Sequence, residues 1–325
     1  MYKKIMVPTD GSGFDREAIL VALRVAERCG AKVQLVRVLA RGAYFGMSAS
    51  PEGVIVTPEA MRAEEDAALT ELYALAAECR NISTAEITGD LELGPIADIL
   101  AGYAKRNDVD LIVISSHGRR GIARLSLGSV TDSLIRGTTI PVLVVKPKAS
   151  YLTPEATKEF HQIVVPLDGS SLAEQILAKV VPLAKVEQAD ITLLHVLSPT
   201  EEDKENANIR KQPWWEKRVA GAKAYLSRRA AEVRRDGVTA TIDVVVGERV
   251  AETITDYARR AGADLIAIAT HGRGGLARVV RGSVADGVTK LAMSSILVFH
   301  PDKAAEKSLP REGVEHAREE AATLV

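Results

Sequence analysis

The sequence predicts an α/β protein made of two tandem domains, each a five-stranded parallel sheet with helices on both faces. Three observations carry this. Short apolar runs alternate with longer amphipathic stretches, the pattern of consecutive βαβ units. The runs are almost continuous in Val, Ile and Leu, as strands covered on both faces require. One ordered set of motifs also occurs twice. V-P-T-D-G-S, ending at Ser12, returns as V-P-L-D-G-S, ending at Ser170, and S-S-H-G-R-R-G-I-A-R-L-S-L-G-S-V over Ser115–Val130 returns as A-T-H-G-R-G-G-L-A-R-V-V-R-G-S-V over Ala269–Val284. Asp10 matches Asp168 at an offset of 158, while Gly118, Gly128 and Ser129 match Gly272, Gly282 and Ser283 at an offset of 154. A repeat of this length within 325 residues implies two copies of one domain, and two copies of whatever site the motifs build.

In the first copy the apolar runs place strands at Ile5–Thr9, Val33–Leu39, Ala85–Gly89, Leu111–Ser115 and Val142–Lys146. The amphipathic stretches between them place helices at Asp15–Cys29, Pro58–Cys79, Pro95–Asn107 and Ser129–Gly137. The second copy keeps the order, with strands at Ile163–Leu167, Ile191–Leu197, Thr239–Val246, Leu265–Ala269 and Ile296–Phe299, and helices at Leu172–Lys185, Trp214–Arg235, Arg249–Ala261 and Ser283–Leu291. The first domain is expected over residues 1–148 and the second over 161–302. A polar linker containing Pro154 joins them over 149–160, and a charged tail over 303–325 forms a short helix or a frayed end.

Composition narrows the function. Hydrophobic residues at 46% and charged residues at 26% describe a soluble globular chain. A formal net charge of -1 provides no general attraction to nucleic acid or to an anionic membrane. No apolar run reaches the length of a membrane span. Met1 begins almost directly inside a strand, so no signal peptide is expected. Cys29 and Cys79 lack metal or redox spacing and are expected to be reduced thiols in a cytoplasmic protein.

The loop after the fourth strand carries the clearest chemistry. It lies at the carboxyl end of a parallel strand, the edge where open α/β sheets bind ligands. Glycine there lets a backbone N–H approach a phosphate, and a helix opening at Gly128-Ser129 offers unpaired N–H groups and a positive dipole end to an anion. The Ser129 hydroxyl either bonds a phosphate or caps its own helix. Arg119, Arg120 and Arg124, with Arg273, Arg278 and Arg281 in the second copy, suit a polyphosphate, although solvated surface arginines are the commoner reading.

Asp10 and Asp168 follow the first strand of each copy. A carboxylate there accepts hydrogen bonds from a base or ribose, or holds a metal through water; alone, it would read as an Asx turn. Its recurrence with the glycine loop favours the ligand role. His117 and His271 stand beside that loop without a partner base or nucleophile, which favours a structural loop role. His195 falls within a strand, as a core or strand-end residue, and Trp214-Trp215 opens a helix of the second copy alone, as a lid or packing pair. No Walker-type P-loop, zinc-protease helix or nucleophile elbow occurs, and Gly11-Ser12-Gly13 lacks the third glycine of a dinucleotide fingerprint.

With these motifs the chain resembles the universal stress protein family over essentially its whole length to about residue 302, as a tandem of two such domains. Nucleotide-binding members carry an Asp after the first strand, and Gly, two residues, Gly, nine residues, then Gly-Ser or Gly-Thr after the fourth. The resemblance implies a Rossmann-like fold, of the adenine nucleotide alpha hydrolase-like kind, that binds ATP. Phosphates would sit on the glycine loop and helix start, with any Mg2+ held mainly by the phosphates and adenine near the first and second strand ends. The implied site residues are Asp10, Val38, Ser115, Gly118, Gly128, Ser129 and Val130 in the first copy, and Asp168, Val196, Ala269, Gly272, Gly282, Ser283 and Val284 in the second. Ser115 and Ala269 stand where the family pattern has its first glycine. Each adds one Cβ, in both copies alike, and so gives no ground for ranking the two sites.

The resulting expectation is an ATP-binding regulator or sensor of stress with one nucleotide per domain and an unidentified protein partner. The alternatives are a dimerising interaction protein with degenerate sites, and an enzyme, for which the missing base predicts slow ATP hydrolysis at most. Each copy ends in an apolar strand expected at the sheet edge, where the hazard of an uncovered edge calls for a partner. The two final strands are therefore expected to pair antiparallel, with a homodimer of tandems as a further step.

Overall fold

A computed structural model describes residues 1–40, 57–116, 127–146, 159–199, 212–270 and 283–301. The chain divides into two compact units. The first comprises Met1–Glu159 together with Ser295–Val298, and the second comprises Phe160–Ser294 with Phe299–Val325.

In the first unit β1 (Lys4–Thr9), β2 (Lys32–Leu39), β3 (Ile87–Leu93), β4 (Leu111–Ser115) and β5 (Val142–Val145) form a parallel sheet in the order β3-β2-β1-β4-β5. Helices α1 (Arg16–Cys29), α2 (Pro58–Ile82), α3 (Ile96–Arg106) and α4 (Ser129–Gly137) connect the strands. Ile5, Met6, Val33, Leu35, Leu111, Ile112, Val113, Leu143 and Val144 are all excluded from solvent, so the core lies along the central strands. Local chemistry sets the helix limits. Thr57 caps α2, its hydroxyl accepting from Ala60 N at 3.2 Å, and Pro58 supplies a preset φ in the first turn. Gly30 ends α1 in the left-handed conformation, where its N–H reaches the carbonyl of Ala26.

The sixth strand of this unit is β10 (Ser295–Phe299), drawn from the far end of the chain. It runs antiparallel to β5 with Ile296 opposite Val144, Leu297 opposite Leu143 and Val298 opposite Val142. The Ser295 hydroxyl accepts from Lys146 N at 3.2 Å. The apolar edge that β5 would present is thereby covered.

In the second unit β6 (Gln162–Pro166), β7 (Asp190–Leu197), β8 (Ala240–Val246) and β9 (Leu265–Ala269) are parallel in the order β9-β6-β7-β8. They alternate with α5 (Ser171–Glu174), α6 (Leu177–Glu187), α7 (Pro213–Arg235), α8 (Val250–Arg260) and α9 (Ser283–Leu291). The carbonyl of Phe299 accepts from Thr270 N at 2.8 Å. One partly buried contact recurs in both units at the foot of the third strand. The guanidinium of Arg80 donates to the Ile87 carbonyl at 2.8 Å, and Arg234 Nε donates to that of Ala240 at 2.9 Å.

The elements differ from the sequence expectation in two places. β3 runs on from Gly89 to Leu93, because half-exposed positions there tolerate the polar residues that disguised the strand. The helix expected at Leu172–Lys185 is two helices. Gln175 N and Ile176 N bond back to the carbonyls of Leu172 and Ala173, both at 3.3 Å, tightening the turn between α5 and α6. The expected linker from 149 to 158 and the tail lie outside the described residues.

Candidate functional site

In the first unit the chain passes outward from β1 through β2 to β3, then returns to the other side of β1 for β4 and β5. The crevice between the carboxyl ends of β1 and β4 is therefore a topological switch point, the place where open α/β sheets take ligands. Asp10 follows β1, Val38 lies near the end of adjacent β2, and Ser115 ends β4, so the parallel register brings all three to one edge.

Asp10 is held by its own turn. Its Oδ1 accepts from Ser12 N at 2.8 Å, and Gly11 between them has φ of 72°, which glycine adopts without strain. Below, the Thr9 hydroxyl donates to the buried Asp15 carboxylate at the start of α1 and accepts from Gly11 N at 3.2 Å. On the other flank, Gly128 N donates to the Ser116 carbonyl at 3.0 Å and the Thr131 hydroxyl donates to that of Ser115 at 3.2 Å. These two bonds seat the N-terminus of α4 against the end of β4. Gly128 occupies the N-cap with no side-chain cap bond, Ser129 is exposed, and Val38 and Val130 are half-buried. The opening turn thus points unmet amides and a positive dipole end toward the crevice. The crevice thus brings together a carboxylate, a helix N-terminus and partly exposed valines, the chemical types that a nucleotide's hydroxyls, phosphates and base can meet.

The second unit repeats the frame about β6 and β9. Asp168 follows β6, and its Oδ1 accepts from Ser170 N at 2.9 Å and from the Ser170 hydroxyl at 2.6 Å. Ser170 in turn caps α5 through Ala173 N at 3.1 Å. Val196 is half-buried on β7, Ala269 ends β9, and Val284 is half-buried in the first turn of α9, which opens at Ser283. Gly118, Gly272, Gly282, His117, His271 and the six loop arginines lie outside the described residues, as does the side chain of Ser283.

The two frames carry different side chains at equivalent places. In the first, Arg37 on β2 pairs with Glu71 on α2 at 2.6 Å, its side chain only 11% exposed. The pair overlies the Asp10 turn, since a Cβ built on Gly11 would lie 3.2 Å from Arg37 Nη1 and 3.5 Å from Glu71 Oε2. In the second, the place of Arg37 falls to His195. Its Nδ1 is 2.8 Å from the Leu167 carbonyl, an acceptor, so this nitrogen carries the proton. The place of Glu71 falls to Tyr225, whose phenol is pushed far above its ordinary pKa by burial and by the nearby Glu174 carboxylate. Arg229 Nε meets Glu174 at 3.2 Å in the same cluster.

At the end of β5, burial lowers the Lys146 ammonium from 10.5 to about 8. His300 stands at the equivalent position, its Nδ1 2.8 Å from the Thr270 hydroxyl. Trp215 is packed and Trp214 is exposed, their rings edge to face at 5.9 Å. The guanidinium of Arg218 lies 5.1 Å from the Trp215 ring and donates to the Ser198 carbonyl, just past β7, at 3.4 Å. The pair is thus half packing residue and half exposed surface beside the carboxyl edge. Sequence reasoning passed over Arg37, Glu71, Thr131, Lys146 and Tyr225. The one signal open to it was the disagreement between copies, since Arg37 aligns with His195, Glu71 with Tyr225 and Thr131 with Ala285.

Among the described residues no group of three or more His, Cys, Asp or Glu side chains is placed to hold a metal ion, and no helix is long and apolar enough to cross a membrane.

The fold and the duplicated edge are those of a tandem α/β protein with two switch-point crevices. The chain belongs to the universal stress protein family, whose model matches residues 1–146 and 159–300. It is similar to Universal stress protein MJ0531 of Methanocaldococcus jannaschii, 32% identical over 45% of this chain and 83% of that protein. Universal stress protein Rv1996 of Mycobacterium tuberculosis is 26% identical over 90% of this chain and 94% of its own length. The crystal structure of a universal stress protein from Archaeoglobus fulgidus covers 91% of this chain with a TM-score of 0.65 at 15% identity, a likeness of fold.

Proposed function

We propose that this universal stress protein binds ATP in both domains, at the crevices between β1 and β4 and between β6 and β9, and acts as a nucleotide-dependent regulator or sensor. The observation that carries the reading is the seating of α4. The Gly128 amide and the Thr131 hydroxyl tie the start of the helix to the β4 end, beside the strand whose turn holds Asp10. Phosphates take the helix start, with any Mg2+ bound mainly to them, ribose hydroxyls donate to Asp10, and the base lies against Val38. In the second domain Asp168, Val196, Val284 and the start of α9 take these roles. Gly118, Gly272 and Gly282 are assigned to the phosphates, with Ser115 and Ala269 at the position of the family pattern's first glycine. Nucleotide binding is the activity in this reading, with any hydrolysis far below the roughly 1–10³ per second of ordinary enzymes. The free thiols of Cys29 and Cys79 go with a reducing cytoplasmic setting.

The test is to denature the purified protein, assay the released adenine nucleotide, and titrate stripped protein with ATP by calorimetry. Two equivalents per chain are expected, lost when Gly118 and Gly272 are replaced together by bulky residues. Absence of both retained and titratable nucleotide would leave the interaction-protein reading in its place.

A further inference from the structure

We infer that Thr9 and Asp15 are positioning residues of the first nucleotide site, a hydroxyl–carboxylate pair that sets the turn presenting Asp10 and has no counterpart in the second domain. This rests on the nucleotide-binding reading above. Thr9 is the last residue of β1, Asp15 stands just ahead of α1, and both are buried. A hydroxyl has one proton to give and lone pairs to receive with. Here the proton goes to the Asp15 carboxylate, which fixes the rotor and turns a lone pair toward Gly11 N at 3.2 Å. Gly11 is thereby held at φ of 72°, between Asp10 and the Ser12 amide that bonds the Asp10 Oδ1 at 2.8 Å. A buried carboxylate thus acts on the ligand edge through one side chain and one amide.

In the second domain the same places hold Leu167 and Ala173, which offer neither a hydroxyl nor a carboxylate. Leu167 is buried, and Ser170 brings a hydroxyl to that turn instead, donating to Asp168 Oδ1 at 2.6 Å. The duplicated carboxylates are set by different side chains, so a change at Thr9 is felt at one site. The second domain also shows that the fold accepts an apolar pair at these places. Thr9→Val with Asp15→Ala therefore removes the polar link without leaving a carboxylate buried beside a methyl group.

The experiment uses the full chain carrying Asp168→Ala to isolate the first site and the full chain carrying Asp10→Ala to isolate the second, with ATP and 2′,3′-dideoxy-ATP as probes. At the first site Thr9→Val, alone or with Asp15→Ala, weakens ATP binding by roughly threefold to tenfold, the size of one hydrogen bond. It also lowers the preference for ATP over the dideoxy nucleotide by about the same factor, because ATP alone donates ribose hydroxyls to Asp10. Thr9→Ser, which keeps the hydroxyl, restores both values. A loosened fold would weaken the two nucleotides alike and leave their ratio unmoved. At the second site none of these variants changes binding. In nucleotide-free protein, hydrogen exchange at the Gly11 amide becomes at least about threefold faster in Thr9→Val and stays at the parent rate in Thr9→Ser. Circular dichroism melts check that each variant is folded, and Thr9→Val with Asp15→Ala carries the test if Thr9→Val alone is not. An unmoved nucleotide ratio, or an equal loss at the second site, overturns the inference. If the parent chain binds no ATP, the nucleotide reading falls, and the Gly11 exchange rate alone decides whether Thr9 sets the turn.

Discussion

The Thr131 hydroxyl donates to the carbonyl of Ser115 at 3.2 Å, joining the first turn of α4 to the last residue of β4. Thr131 is buried, and its equivalent in the second domain is Ala285, so this tie exists in one copy only. Thr131→Val keeps the shape and removes the donor. The expected cost is about 1 kcal/mol in chemical denaturation of the first unit, with a measurable weakening of ATP binding. An unchanged midpoint and unchanged affinity would show that α4 is seated without it.

Gly247 follows β8, and its N–H donates to the Leu197 carbonyl at 3.1 Å. A Cβ there would overlap Thr253 Oγ1 and lie 2.8 Å from Thr253 Cβ, and that hydroxyl already donates to the Arg249 carbonyl at 2.9 Å. Gly247→Ala must displace the first turn of α8, at a cost of about 1–3 kcal/mol. Gly247→Ala with Thr253→Ala should recover part of the loss, because both the hydroxyl and the methyl that the new Cβ meets are gone. Denaturant midpoints of the two variants settle the matter.

Lys146 gives a pH signature. Burial holds its folded pKa near 8, below the 10.5 of a free lysine, so between these values the unfolded chain binds more protons than the folded one. Stability from this group therefore rises as pH increases from about 8 to 10.5, and below 8 burial of the charge is a constant penalty. Lys146→Met should raise the melting temperature at pH 7 and flatten the difference between pH 7.5 and 10. A parallel pH profile in the variant would place the titration elsewhere.

Both tryptophans belong to the second unit, and the Trp215–Arg218–Ser198 chain ends just past the strand that carries Val196. ATP is expected to change tryptophan emission in the parent and in Asp10→Ala, and to leave it unchanged in Asp168→Ala. Emission that follows the first site instead would contradict the assignment of Val196 to the second.

The pairing of Leu297 with Leu143 predicts behaviour of the fragment 1–160, which lacks β10. Its β5, with Leu143 and Val144 buried in the full chain, becomes an open apolar edge. Light scattering should find it self-associated, and Val144→Pro should shift it toward monomer by removing an amide from the ladder. A fragment that is monomeric at micromolar concentration would mean that this edge needs no cover.

Much of this architecture was legible in the residues. Runs such as Leu111–Ser115 and Leu265–Ala269 name their strands because both faces must be apolar. The duplication aligns Asp10 with Asp168 before any coordinates are known. The legible part of the site is backbone chemistry, since turns after β1 and β6 and a helix start at Gly128 depend on neighbours in sequence. β3 was the weak point because an edge strand can be polar, and α5 and α6 were read as one because a turn of tight i→i−3 bonds leaves little mark on the hydrophobic period.

By itself the sequence determined the fold class, the two copies and the strand ends at which the candidate site residues stand, because burial on both faces and local turn chemistry act within a few residues. Tertiary structure alone decided that Arg37 meets Glu71 over Gly11 and that Thr131 reaches Ser115. These contacts depend on strand order and on the rotation of each helix over the sheet. Side chains distant in sequence share a face only when both are set, and an apolar period records which residues are buried, not which of them meet.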